Sequence, residues 1–145
     1  MELKNIDATI NRPGGERLID APFVFVDMAK YISQLKSEES WDKNDRNGIT
    51  VYKTDGITIV LTCLHRDAVI EKNSVDGWLT IQVLDGVVEF TVKEKTLVLK
   101  KNQLITLHPD VLHTIHAKKE CALLLINKME NASGSSVMET GDYYR

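Results

Sequence analysis

From residue 49 onward the chain is built of short runs in which apolar and polar side chains alternate with a period of two. Leu79, Ile81 and Val83 fall on one side of a run against Thr80 and Gln82, and Val88, Phe90 and Val92 fall on one side against Glu89 and Thr91. That period predicts strands with one face turned to a core. By the same reading, strands are predicted over Ile49–Thr54, Ile57–His65, Trp78–Leu84, Val87–Val92, Thr96–Lys100, Gln103–His108, Val111–Ala117 and Cys121–Asn127. Asp55-Gly56 and Asp85-Gly86 each join two such runs, and this residue pair is favoured in tight two-residue turns, so two hairpins are expected. Eight or nine short strands at this spacing predict a sandwich or barrel.

The first 48 residues read differently. Arg12-Pro13-Gly14-Gly15 is turn chemistry in an otherwise polar leading segment, which predicts a loose arm. Met28, Tyr31, Ile32 and Leu35 then recur at helical spacing behind Asp27, a residue type suited to the N-cap, so a short amphipathic helix is expected there. A further turn over Glu38–Lys43 brings Trp41 to the same apolar side, and Asn44-Asp45-Arg46-Asn47-Gly48 reads as a break. The expected organisation is an arm with a helix packed on the barrel over 1–48, the barrel over 49–129, and a polar tail over 130–145.

Composition narrows the function classes. With 43% hydrophobic and 27% charged residues among 145, the chain has the make-up of an ordinary globular protein. A formal charge of −3 argues against a general nucleic-acid surface, and no run approaches the length a membrane helix needs. Two cysteines, Cys63 and Cys121, are too few for a disulfide scaffold, and the leading residues lack the apolar run of a secretory signal. A cytoplasmic protein with reduced thiols is expected. The lysine pairs at 93/95, 100/101 and 118/119 fall at strand ends, where they read as solubilising edges.

The stretch from Asp67 to Asn127, and VDGWLTIQVLDGVVEFTV with LKKNQLITLHPDVLHTI in particular, resembles the small single-domain cupins. The resemblance implies an all-β, cupin-type jelly-roll barrel, here with a short N-terminal helical arm, and frequent homodimers. Cupins carry two loose motifs, G-x5-H-x-H-x3or4-E-x6-G and G-x5-P-x-G-x2-H-x3-N, whose three His and one Glu usually bind a divalent metal. Aligned on Gly86 and His113, the chain places Asn73 and Val75 at the first two His positions and Leu79 at the Glu, so only His113 is kept as a ligand. The glycine positions are filled by Asp67, Asn102 and Asp110, types that tolerate left-handed backbone best after glycine, so the turns are expected to persist.

The expected site is therefore a ligand pocket inside the barrel, walled by Val75, Leu79, Ile81 and Ile115, with His113 and Asn73 as polar anchors and His65 nearby. His113 shares a face with Ile115 and Ala117, whereas His116 falls on the opposite face. Cys63 and His65 share a face, which allows a thiolate–imidazolium pair on geometry and equally an inert buried thiol. No metal or other cofactor is expected; the weaker alternative is a divalent metal at a relocated site around His65, His113 and Asn73, serving a dioxygenase, isomerase or decarboxylase. The expected partner is a small organic ligand, with no nucleic acid and no membrane.

Overall fold

A computed structural model describes residues 4–6, 17–71 and 76–129. Asn73, Val75, the Arg12–Gly15 turn and the tail from Glu130 lie outside the described residues. In chain order the elements are β1 (Lys4–Ile6), β2 (Arg17–Asp20), α1 (Met28–Ser37), α2 (Glu39–Lys43), β3 (Arg46–Lys53), β4 (Ile57–Leu64), β5 (Val69–Ile70), β6 (Gly77–Asp85), β7 (Val87–Val92), β8 (Lys95–Lys100), β9 (Leu104–Leu107), β10 (His113–Ala117) and β11 (Cys121–Met129). A five-stranded sheet in the order β3-β4-β11-β6-β9 faces a four-stranded sheet in the order β5-β10-β7-β8, and every pairing is antiparallel. This is the jelly roll that the alternating pattern and the resemblance predict.

Alternation sets where the core lies. Leu79, Ile81 and Val83 from one sheet meet Val88, Phe90, Ile115 and Ala117 from the other, and all are buried. Burying side chains of this size contributes roughly 1.5–3 kcal/mol each. The opposite face of the five-stranded sheet carries a second cluster, in which Leu35 and Trp41 of the helices pack on Ile49, Val51, Leu61 and Cys63. Asp27 caps α1 as its residue type suggests, accepting from the Lys30 backbone N–H at 3.2 Å.

Three expectations are corrected. Asp85-Gly86 does not close a hairpin: β6 and β7 belong to different sheets, and Gly86, at φ +84°, is the corner where the chain passes between them. A hairpin does form at Asp55-Gly56, closed by the Thr54 N–H donating to Ile57 O at 2.8 Å, but neither turn residue takes positive φ. The break expected over Asn44–Gly48 is shorter, because β3 already begins at Arg46. Asn47 is buried there and its amide donates to Leu35 O and to Glu38 Oε1, both at 2.9 Å, so this polar residue ties the end of α1 to the sheet. The leading segment is likewise not wholly loose: β2 pairs with β1, buries Ile19, and places Arg17 so that Nε and Nη2 donate to Thr50 O at 3.0 and 2.7 Å beside the bulge in β3.

Candidate functional site

His113 opens β10, with Val111 and Leu112 between it and the Pro109-Asp110 turn. Asp110 holds φ +62°, and Asp67 and Asn102 both hold φ +71°, so the three residues at the glycine positions adopt the left-handed backbone expected of them. Strand parity then turns His113 inward with Ile115 and Ala117; it is 3% exposed and stacks on Phe90 with ring centroids 5.3 Å apart. His116, on the other parity, lies outside with Nε2 3.5 Å from Asp67 Oδ1.

The hydrogen bonding of His113 fixes its chemistry. Nδ1 lies 3.0 Å from Val111 O, and a carbonyl oxygen can only accept, so Nδ1 carries the proton. In the neutral ring, Nε2 is then a bare acceptor, and it is buried with no hydrogen-bond partner among the described residues. A buried acceptor left unpaired costs about 1–3 kcal/mol. His113 forms part of the wall of a hollow of about 390 Å³ that also includes Thr91, Lys93 and Leu112. Beside it runs an open cleft of about 950 Å³, with residues 92–95 on one side and residues 106–108 with Val111 on the other.

Lys93 borders both spaces, and sequence reasoning missed it by treating it as a solubilising edge. It sits in the two-residue loop between β7 and β8 at φ +56°, a conformation that costs an L-residue other than Asn or Asp about 1–2 kcal/mol. The signal was available in the spacing. Two predicted strands separated only by Lys93-Glu94-Lys95 force a tight reversal, and no Gly, Asn or Asp is there to take it.

Among the described residues, the other predicted site residues are not gathered at His113. Leu79 pairs with Leu107 and is 3% exposed, and Ile81 and Ile115 are packed in the core; none of the three borders either space, so the interior wall expected of them is filled by their own packing. His65 is a correction. It stacks on Trp41 at 3.4 Å and its Nε2 lies 2.8 Å from Trp41 O, within the helix-covered cluster. The reason is parity: Leu64 faces the barrel core, so Cys63 and His65 face the helices. Burial pushes the Cys63 thiol up to about 11, which removes the thiolate from that pair at neutral pH.

The cupin architecture implies a divalent metal, and the donor set among the described residues does not fit one. Leu79 stands where the motif has its carboxylate and offers no lone pair, and His65 lies across the sheet from His113. No group of three His, Cys, Asp or Glu suited to a metal occurs among the described residues. One imidazole alone holds a divalent ion weakly.

Two facing antiparallel sheets in this strand order define a cupin-type protein. The AraC-like ligand binding domain model matches residues 56–135, more than half of the sequence, and the chain belongs to that family. It is a cupin-domain ligand-binding module. No curated protein matches it. Among solved structures, it is similar to a cupin superfamily protein from Desulfitobacterium hafniense at 16% identity, covering 60% of this chain and 80% of that one with a TM-score of 0.58. A conserved protein of unknown function from Streptococcus pyogenes gives 17% identity, 79% and 93% coverage and a TM-score of 0.60. The cupin domain of an XRE family transcriptional regulator from Enterobacter cloacae gives 12%, 61%, 100% and 0.56. These likenesses carry the fold. Among the described residues, no helix is long and apolar enough to cross a membrane.

Proposed function

We propose that this protein is a metal-free sensor or carrier that seats a small organic molecule at the mouth of the barrel, against His113. The observation that carries this reading is the unpartnered, buried Nε2 of His113, a residue that also borders a hollow of about 390 Å³. A buried acceptor without a partner is a defect in a purely structural core and an anchor in a binding site. The test is elemental analysis of untagged protein after incubation with iron, nickel, manganese or zinc, alongside a thermal-shift screen of small metabolites, for wild type and His113→Leu. Metal below about a tenth of an equivalent, with ligand-induced stabilisation lost in the variant, is the expected result. Metal near one equivalent that the variant loses would replace this reading with a metal-dependent dioxygenase, isomerase or decarboxylase.

The same proposal has the protein acting in the cytoplasm as a homodimer. The free, buried Cys63 and Cys121 suit a reducing compartment. Phe23 and Phe25, 83% and 85% exposed just ahead of α1, are the apolar surface a second copy would cover. Light scattering should give twice the mass of the chain, and Phe23→Ser/Phe25→Ser should shift it toward the monomer. A monomeric wild type would refute the dimer.

A further inference from the structure

We propose that the open cleft of about 950 Å³ is itself a binding site, and that it takes an amphipathic organic acid, with an apolar body over Val92, Leu107 and Val111 and a carboxylate at Lys95 and Lys93. His113 does not line this cleft, so the site stands apart from the seat proposed above.

Strand register brings the apolar and the charged part into one space. Lys95 pairs with Val92, Leu97 with Phe90 and Leu99 with Val88, so Lys95, Leu97 and Leu99 share the parity that turns Phe90 and Val88 to the core. Val92 and Val111 pack against that core, Leu107 belongs to it, and all three reach the cleft. On the inner face of β8, Lys95 is exposed, Leu97 is 43% exposed and Leu99 8%, so this face passes from charged and open at the Lys95 end to apolar and closed away from it. A molecule with a charged head and a hydrocarbon body follows the same gradient.

The sign of the head comes from the rim. Lys93 and Lys95 stand in the cleft against one carboxylate, Glu94, while Thr106 and His108 complete the polar edge. The ion pairs of the described residues link Lys36 to Glu120, Lys43 to Glu39, Arg46 to Asp45, His116 to Asp67 and Lys118 to Glu89, and none engages Lys93 or Lys95. An inward-turned lysine on an edge strand also discourages pairing with a foreign sheet. That role needs no apolar floor beside it, whereas Val92, Leu107 and Val111 gain from a hydrocarbon that displaces water, in a space the size of an ordinary ligand pocket.

The experiment is isothermal titration calorimetry at low salt with three probes: octanoate carries both parts, butyrate the carboxylate with a short body, and octylammonium the body with the opposite charge. Octanoate should bind wild type at least about tenfold more tightly than butyrate, since each buried methylene is worth up to about fourfold and an open cleft returns part of that. It should exceed octylammonium by a similar factor. Lys93→Asn/Lys95→Gln, in which asparagine accepts the left-handed turn, should weaken octanoate on the order of tenfold without weakening octylammonium. Glu94→Gln should tighten octanoate about twofold, and His113→Leu should leave it within about twofold. Lys93, Glu94 and Lys95 are exposed, so these variants keep the fold and decide the matter even if His113→Leu does not fold. Octanoate bound no better than butyrate or octylammonium, or not bound at all, overturns the proposal. Octanoate binding that ignores the lysine substitutions but is lost in folded His113→Leu places the ligand at His113 and overturns this site alone. A lysine variant that self-associates while binding octanoate as wild type does makes the two lysines edge guards, and overturns it likewise.

Discussion

The two Asp-Gly pairs make a controlled comparison, because identical dipeptides serve opposite purposes. A Cβ built on Gly86 would lie 2.3 Å from Glu120 O and 2.6 Å from Cys121 Cβ, and the residue holds φ +84°. The left-handed backbone alone costs an alanine about 1–2 kcal/mol, and forcing two sheets apart at a packed corner adds about 1–3 kcal/mol, so Gly86→Ala should destabilise by about 3 kcal/mol. At Gly56 a Cβ meets nothing within 4 Å and the backbone is not left-handed. Gly56→Ala should therefore stay within about 0.5 kcal/mol of wild type or gain slightly from a stiffer unfolded chain. Urea unfolding followed by tryptophan fluorescence reads both variants. With an m-value of about 2 kcal/mol/M, the Gly86 variant should lose about 1.5 M in midpoint. Two midpoints that agree to within about 0.5 M would refute the assignment of Gly86 as an inter-sheet corner with no room for a side chain.

Two further outcomes test the helix and the buried thiols. Asp27→Ala removes the side-chain cap of α1 and should cost about 1 kcal/mol in the same urea assay, while Asp27→Ser should restore most of it. Burial pushes the thiols of Cys63 and Cys121 up to about 11 and about 12 from an ordinary value of 9. Above pH 9 the unfolded chain releases those protons while the folded one keeps them. Their contribution is thus fully present below about pH 9 and is lost as pH rises toward 11 and 12. Replacing both cysteines by alanine should flatten the fall in stability over that range, and an unchanged slope would show that the thiols do not titrate as argued.

How much of this was legible in the sequence depends on whether the deciding physics was local. The period-two pattern of Leu79 to Val83 and Val88 to Val92 placed strands and their buried faces, and Asp27 marked the start of α1, because each rests on neighbours along the chain. Strand parity also turned His113 inward and His116 outward. Sheet membership was not local: nothing in Asp85-Gly86 distinguishes a turn within one sheet from a passage between two, and only the pairing of β6 with β11 and β9 decides it. His65 failed for a related reason, since its parity places it with Cys63 but the layer that lies on that face is set by the helices. Lys93 escaped because its placement depends on a backbone angle and on two spaces lined by segments distant in the sequence.

β11 sits third in its sheet, between β4 and β6, yet follows every other described strand in the chain. During synthesis, the hairpin of β3 and β4 and the pair β6 and β9 therefore emerge from the ribosome with two open edges that only the residues from Cys121 to Met129 can close. Until then Leu61, Leu79 and Ile81 lack the strand that brings Leu123 to Leu125 between them. The nascent barrel must hold two sticky half-sheets apart until its keystone arrives, which makes chaperone demand and sensitivity to late truncation properties of the topology itself.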